Sequence, residues 1–377
     1  MKKNGVPLNP GATSPRPSPP LRGGAGEGVA CLQFGRFIMK NLFARIRPVK
    51  LTVAALSLGW VFLPYPASAR PQTITPGEIW PDNRGQHVQA HGGGILKHGK
   101  TYYWFGEDRS QGLSRSNRYV ACYSSTDLAH WTFRNQVVKI SDPENLGRGW
   151  VLERPKVYYN APTKKFVLYA HIDDRRYKFA SVAVFTGDKI DGDYQYIKSF
   201  RPLNHESRDI GQFIDDDGTA YLIFEDRPFG FRIAKLSKDY LGIEKEMCLI
   251  PQHMEGGALV HYGGLYYVIG SALTGWSPNP NKYATATKLE GPWSEFKDIA
   301  PPEAHTYGSQ STMMLKVAGT KATTVIFMGD IWKPWTQWDS RYLWMPAEIG
   351  GGKLHLPEPK AWELDVKTGE VAIKKSE

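Results

Sequence analysis

A five-bladed β-propeller is the fold class the sequence predicts. Three observations predict it. One strand-turn-strand pattern recurs five times, its copies start 46 to 62 residues apart, and no stretch of helical periodicity competes with it. The 38 glycines and 27 prolines in 377 residues agree with a chain built of short strands and turns. Each copy has a polar residue, a short apolar strand, a turn, an aromatic-rich strand and a second polar residue.

The first copy opens at His91, turns at His98-Gly99-Lys100 and returns through Tyr102-Tyr103-Trp104-Phe105 to Glu107. The second opens at Glu153, turns between Asn160 and Lys164 and returns through Phe166-Val167-Leu168-Tyr169 to His171. The third opens at Asp209, turns at Asp215-Asp216-Asp217-Gly218 and closes at Glu225. The fourth opens at Glu255, turns at Gly263-Gly264 and closes at Ser271. The fifth opens at Gln310, turns near Gly319 and closes at Asp330. Two apolar runs around a Gly, Asn or Asp turn read as a β-hairpin. Further strand-like pieces, such as Tyr119–Tyr123 and Ser181–Phe185, extend each hairpin toward a four-stranded blade. Strand-like pieces at Trp362–Val366 and Val371–Ile373 can complete the ring. A β-sandwich is the other architecture for such strands, but it does not require five similar hairpins at this period.

The segment before the repeats has another character. Residues 1–38 are low-complexity sequence rich in Pro, Ser and Gly. From Met39, a basic segment (Lys40, Arg45, Arg47, Lys50) precedes an apolar run, Leu51 to Leu63, and then Ala67-Ser68-Ala69. That order is the plan of a secretory signal peptide, and the run of 13 residues is short for a membrane span. An N-terminal anchor helix is the other reading. We expect translation to start at Met39, residues 39–69 to be removed and residues 70–377 to form the propeller in the periplasm or the medium. Mass analysis of the exported protein checks this, with Arg70 as the expected first residue.

Removing that segment changes the charge. The formal net charge is +10, from 47 basic and 37 acidic residues. Nine basic residues and one acid fall before residue 70, leaving 38 against 36. The case for nucleic acid or an anionic membrane surface mostly disappears. Three cysteines exclude a disulfide scaffold, and after residue 69 only Cys122 and Cys248 remain as a possible pair.

In a propeller, the first strand of every blade lines the axis. The openers His91, Glu153, Asp209, Glu255 and Gln310 therefore converge on one mouth, and the closers Glu107, His171, Glu225 and Asp330 can share its rim. Six carboxylates would crowd one funnel. Like charges in a confined site raise the pKa of one member, which makes a general acid available at neutral pH. Glycoside hydrolysis needs that acid on the leaving oxygen and a base on the opposite side.

At these residues the chain resembles glycoside hydrolase family 43 over roughly residues 84–350. Ser207-Arg208-Asp209 with the Asp215–Gly218 turn, and Glu255-Gly256-Gly257, carry the likeness. The resemblance implies an inverting hydrolase on a five-bladed propeller, with Asp209 as pKa tuner and Glu255 as general acid. The first blade departs from the family pattern: Gln89-Ala90-His91-Gly92-Gly93-Gly94 has no Asp where the family base stands, and Asp82 and Asp108 are off that position. Leu152-Glu153-Arg154-Pro155-Lys156, Gly308-Ser309-Gln310-Ser311-Thr312 and Met328-Gly329-Asp330 resemble the exo-β-1,3-galactanase branch. That branch implies Gln310 as base, through its imidic-acid tautomer, and Glu153 as a sugar ligand at the catalytic centre. Glu107 or Glu153 could hold the water instead. The resemblance favours Tyr177, Thr274 and Trp276 as pocket residues, and the closers Glu107, Glu225 and Asp330, with Trp332, are further substrate-binding candidates. Ile331 stands where the branch often has arginine. No cofactor or metal is implied, and the triple-Asp run reads as a solvated turn rather than a calcium loop.

Each assignment has a plainer alternative. Asp209 could merely pair with Arg208 or another basic residue, Glu153 could glue Arg154 or Lys156, and Gln310 could bind sugar hydroxyls without acting as base. His91 could be a ligand or a packed histidine. Trp276, Trp332, Trp335 and Trp338 offer flat faces for sugars, with at least two of them expected to pack between blades. The expected activity is release of galactose from β-1,3-galactan by a secreted monomer. An α-arabinofuranosidase or β-galactofuranosidase and a non-catalytic glycan-binding propeller are the alternatives.

Overall fold

The computed structural model describes residues 73–110, 119–139 and 149–374. The expected extension and signal segment, residues 1–69, lies outside them. Four antiparallel four-stranded sheets and one three-stranded sheet form the five blades of a propeller. Blade 1 holds β1 (His91–His98), β2 (Thr101–Asp108), β3 (Tyr119–Ser125) and β4 (Thr132–Lys139). Blade 2 holds β5 (Val151–Asn160), β6 (Lys165–Asp173), β7 (Ser181–Gly187) and β8 (Gln195–Phe200). Blade 3 holds β9 (Ile210–Ile214), β10 (Ala220–Asp226), β11 (Gly230–Leu236) and β12 (Ile243–Ile250). Blade 4 holds β13 (Glu255–Tyr262), β14 (Leu265–Ser271), β15 (Lys282–Ala286) and a two-residue β16 (Lys297–Asp298).

Blade 5 departs from the four-stranded expectation. It has β17 (Gln310–Ala318), β18 (Thr323–Ile331) and β19 (Arg341–Pro346). The chain then forms two small hairpins, β20 (Glu348–Gly350) with β21 (Lys353–His355), and β22 (Trp362–Leu364) with β23 (Val371–Ile373). Trp362 bridges to Ile74, so the two ends of the described chain meet there. Each inner strand packs on the next, and β17 packs on β1, which closes the ring.

The core lies between blades, and this explains the continuous apolar runs of the return strands. Along β6, Phe166, Leu168 and Ala170 face the blade 1–2 cluster while Val167 and Tyr169 face the blade 2–3 cluster. Along β10, Leu222 and Phe224 face one neighbour and Tyr221 and Ile223 the other. A strand buried on both faces loses the polar alternation of an exposed sheet. Burying each such side chain contributes about 1.5–3 kcal/mol. The seam between blades 5 and 1 is aromatic: Trp104 lies 4.6 Å from Trp344 and 5.2 Å from Trp131, and Trp80 packs edge-on to Trp344 at 5.0 Å.

Cys122 in β3 and Cys248 in β12 are both free, so the possible disulfide is not formed. The Asp215–Gly218 run is a hairpin turn whose Asp216 carboxylate pairs with Lys316. Among the described residues, no helix is long and apolar enough to cross a membrane.

Candidate active site

The openers and closers of the five hairpins are cross-strand partners. His91 pairs with Glu107, Glu153 with His171, Glu255 with Ser271 and Gln310 with Asp330. In blade 3, the Glu225 amide donates to the Asp209 carbonyl at 2.9 Å. All ten residues therefore sit at one end of the ring.

Bulges aim them. The register slips just after His91, Glu153 and Glu255, and the next residue has positive φ each time: Gly92 at 56°, Arg154 at 54°, Gly256 at 65°. Glycine serves the first and third, where a Cβ would also fall 2.6 Å from Glu107 Oε1 and 2.7 Å from the Ser311 carbonyl. Arg154 occupies the same conformation with a full side chain, a strain of about 1–3 kcal/mol that persists only where surroundings fix it. Its amide donates to Glu107 Oε1 at 2.9 Å, and its guanidinium reaches Asp209 Oδ2 at 2.8 Å, the Ser311 carbonyl at 3.1 Å and Gln310 Oε1.

A cavity of about 260 Å³ lies at this end. Its wall includes Glu107, Glu153, Asp209, Glu225 and Glu255, with Gln310, Tyr177, Trp276 and Trp332. Nine of the eleven residues predicted for catalysis or binding are thus brought together. Asp330 and Thr274 are not. Asp330 is turned into the blade 5–1 seam, where its carboxylate accepts from the Gly92 amide at 3.0 Å and pairs with His91 at 3.3 Å. Thr274 donates to the Ser277 carbonyl at 2.5 Å and fixes the loop that presents Trp276. His91 is a packed histidine, fully buried and stacked on Tyr342 at 4.9 Å. Asp82 is bound to Arg84, and Asp108 accepts from Gln136 at 2.7 Å, so neither reaches the cavity.

Lys156, in the same strand as Glu153, is fully buried and donates to the carbonyls of Gly92 at 2.6 Å and Gly93 at 2.8 Å and to Thr312 at 3.3 Å. It ties blades 1, 2 and 5 together inside the ring. Burial pulls its pKa down to about 7.

The carboxyls are pushed apart electrostatically. Burial, then the charges of Asp209 and Glu225, raise Glu255 to about 8. Burial and Asp209 also raise Glu225, and burial raises Glu107. At Glu153, burial opposes ionisation, but the His171 contact and the Arg109 and Arg154 charges outweigh it and hold the carboxyl at about 2. Two carboxyls with opposite shifts in one cavity are the electrostatic requirement for acid–base work.

Gln310 is held on all sides. Its nitrogen donates to Glu255 Oε1 and to Ser271 Oγ, each at 3.0 Å. Its oxygen accepts from Trp332 Nε1 at 2.9 Å and from Arg154. Both partners of the oxygen can only donate, which fixes the amide orientation.

None of the four tryptophans packs between blades as expected for two of them. Trp276, Trp335 and Trp338 are exposed, and Trp332 stands edge-on to Trp276 at 5.4 Å in the cavity wall. Sequence reasoning missed Arg109 and Arg227. A signal was present: Glu-Asp-Arg closes blade 1 at Glu107–Arg109 and recurs in blade 3 at Glu225–Arg227.

The family description "Glycosyl hydrolases family 43" matches residues 90–326. Among solved structures, the chain is similar to the galactose-bound exo-β-1,3-galactanase of Phanerochaete chrysosporium. The two are 35% identical, the match covers 81% of this chain and 71% of that one, and the TM-score is 0.76. An exo-β-1,3-galactanase from Clostridium thermocellum is 34% identical over 80% of this chain and 68% of its own, with TM-score 0.75. A putative exo-β-1,3-galactanase from Bifidobacterium bifidum is 34% identical over 76% and 97%, with TM-score 0.71. No curated protein is matched.

Proposed function

The chain belongs to glycosyl hydrolase family 43, and we propose that it is an inverting exo-β-1,3-galactanase that removes terminal galactose from β-1,3-galactan. One observation carries the reading: a single cavity holds a carboxyl kept protonated, Glu255, and a carboxyl kept ionised, Glu153, with Gln310 where the resemblance to galactanases expects the base. The cavity, about 260 Å³, suits one terminal sugar rather than a chain passing through, which supports exo action.

Glu255 gives its proton to the glycosidic oxygen as that bond breaks. Water attacks the anomeric carbon from the opposite face, and we assign that water to Gln310. Positive charge develops on the sugar ring, and the anionic Glu153 stabilises it electrostatically. Asp209 accepts from the Gly256 amide at 3.0 Å and so sits beside Glu255, where its charge keeps the acid protonated. Export, with residues 39–69 removed, and action as a monomer belong to the same proposal.

The test is incubation of the protein from residue 70 with β-1,3-galactan, arabinan and an aryl α-arabinofuranoside. Galactose from the first alone is the expected product. Arabinose would move the assignment to the arabinofuranosidase alternative, and binding without release to a non-catalytic propeller.

Trp276 is exposed and lines the cavity, and we extend the path of longer chains from it to the exposed tryptophans that follow Trp332. Trp335 is 85% exposed, on the loop after Trp332. An aromatic platform contributes about 0.5–1.5 kcal/mol per stacked ring. Trp335→Ala is expected to raise KM for polymeric galactan roughly two- to tenfold and to leave β-1,3-galactobiose hydrolysis unchanged. Equal KM values on the polymer would remove Trp335 from the substrate path.

A further inference from the structure

One charge device is built twice around the axis. In blades 1 and 2, Arg109 pairs with Glu107 two residues before it and reaches Glu153, the opener of the next blade, at 3.5 Å. In blades 3 and 4, Arg227 pairs with Glu225 two residues before it at 2.5 Å and reaches Glu255, the opener of the next blade, at 3.4 Å. Glu153, near the start of β5, and Glu255, at the start of β13, both precede a residue of positive φ and both sit at a register slip. The arginines face them at nearly equal distance, although Arg109 is buried and Arg227 is exposed to solvent, so their distance is not what separates the two glutamates.

The cross-strand partner differs. Opposite Glu153 stands His171, fully buried, with Nδ1 3.4 Å from Glu153 Oε2 and Nε2 3.1 Å from Asp173 Oδ2. Opposite Glu255 stands Ser271, equally buried, which carries no charge. We propose that His171 is a positioning residue: as an imidazolium between Glu153 and Asp173 it keeps Glu153 anionic, whereas Ser271 in the same place leaves Glu255 free to hold a proton. The residue across the hairpin thereby decides which of two equivalent glutamates is the acid. This rests on the reading of Glu255 as general acid.

The surrounding charges agree. Glu153 faces His171, Arg109, Arg154, Glu107 and the Tyr177 hydroxyl, which donates to it at 3.2 Å. Glu255 faces Asp209, Glu225, Arg154 and Arg227. Arg154 lies beside both, so its charge does not discriminate; Asp209 strengthens the difference from the Glu255 side. Burial disfavours a charged imidazole at His171, but Asp173 and Glu153 together overcome it and lift the ring to about 9. Without Asp173 on its far side, the ring would have one anion to set against its desolvation.

The test is carboxyl 13C and imidazole 15N NMR titration of the protein from residue 70, assigned with Glu153→Gln and His171→Gln, alongside the pH profile of kcat/KM on β-1,3-galactobiose. In the unmodified protein, His171 is expected to be an imidazolium at pH 7 and Glu153 to titrate below the other site carboxyls. In His171→Gln, the Glu153 titration is expected to rise by at least about one pH unit, and the acid limb of the profile to rise with it. A neutral His171 at pH 7, or an unmoved Glu153 titration in a folded His171→Gln, overturns the proposal. Should that variant fail to fold, the titrations of the unmodified protein decide alone. Unmoved titrations with normal galactose release refute the charge assignment only. Expected titrations with no sugar released refute the glycosidase reading only.

Discussion

Glu255→Gln is expected to abolish measurable release of galactose from β-1,3-galactan, a loss of roughly 10²–10⁴-fold in kcat on a poor leaving group. The amide keeps the shape of the acid and can still meet Gln310 and Arg227, but it has no proton to give to the departing oxygen. An aryl galactoside with a good leaving group needs less protonation, so the same variant should lose less on it. That contrast separates a missing acid from a damaged cavity, which would depress both substrates alike. The pH dependence follows with its sign. Glu255 must be protonated to act, and burial with the Asp209 and Glu225 charges has lifted it to about 8. The rate should hold through neutrality and fall as pH rises through that value. Asp209→Asn removes one of the raising charges, so the alkaline limb should move to lower pH. A near-normal rate in Glu255→Gln would remove it as the acid.

Much of this site was legible in the chain because a hairpin couples its two ends. Once a turn is placed and the strand period is two, the residue opposite each opener is nearly determined. Hence His91–Glu107, Glu153–His171 and Gln310–Asp330 came out as pairs. What a pattern of strands does not contain is the direction a bulge imparts. Asp330 lies in register with Gln310, yet its carboxylate turns to the seam with blade 1 because Gly92 and His91 offer it partners there. Thr274 sits beside Trp276 in sequence, but a turn within its own loop consumes its hydroxyl. Arg109 and Arg227 were recoverable, since the Glu-Asp-Arg closers repeat. The role of Lys156 was harder to see: it lies in an obvious motif, but only ring closure shows that its ammonium meets the Gly92 and Gly93 carbonyls.

Gln310→Ala is expected to cost at least about 100-fold in kcat/KM, the lower end of what a positioned base contributes. The resting geometry states what the base role demands. To accept a proton, the nitrogen must present a lone pair, and the imidic form keeps only one N–H, so it must give up one of its bonds to Glu255 and Ser271. The oxygen must then carry hydrogen while facing Trp332 and Arg154, which only donate. A bound sugar must therefore displace at least one of these partners before the imidic form can exist. Gln310→Glu decides whether it does. A carboxylate is a stronger base than any amide, so a true base position should recover much of the activity that alanine loses. An anchoring position should not: the new anion would lose the donor to Glu255 and repel its carboxylate, raising the acid's pKa further without supplying an attack. A glutamate variant no faster than the alanine variant transfers the water to the ionised carboxylate of Glu153. Glu153→Gln would then lose as much as Gln310→Ala, and its acid limb would disappear from the profile.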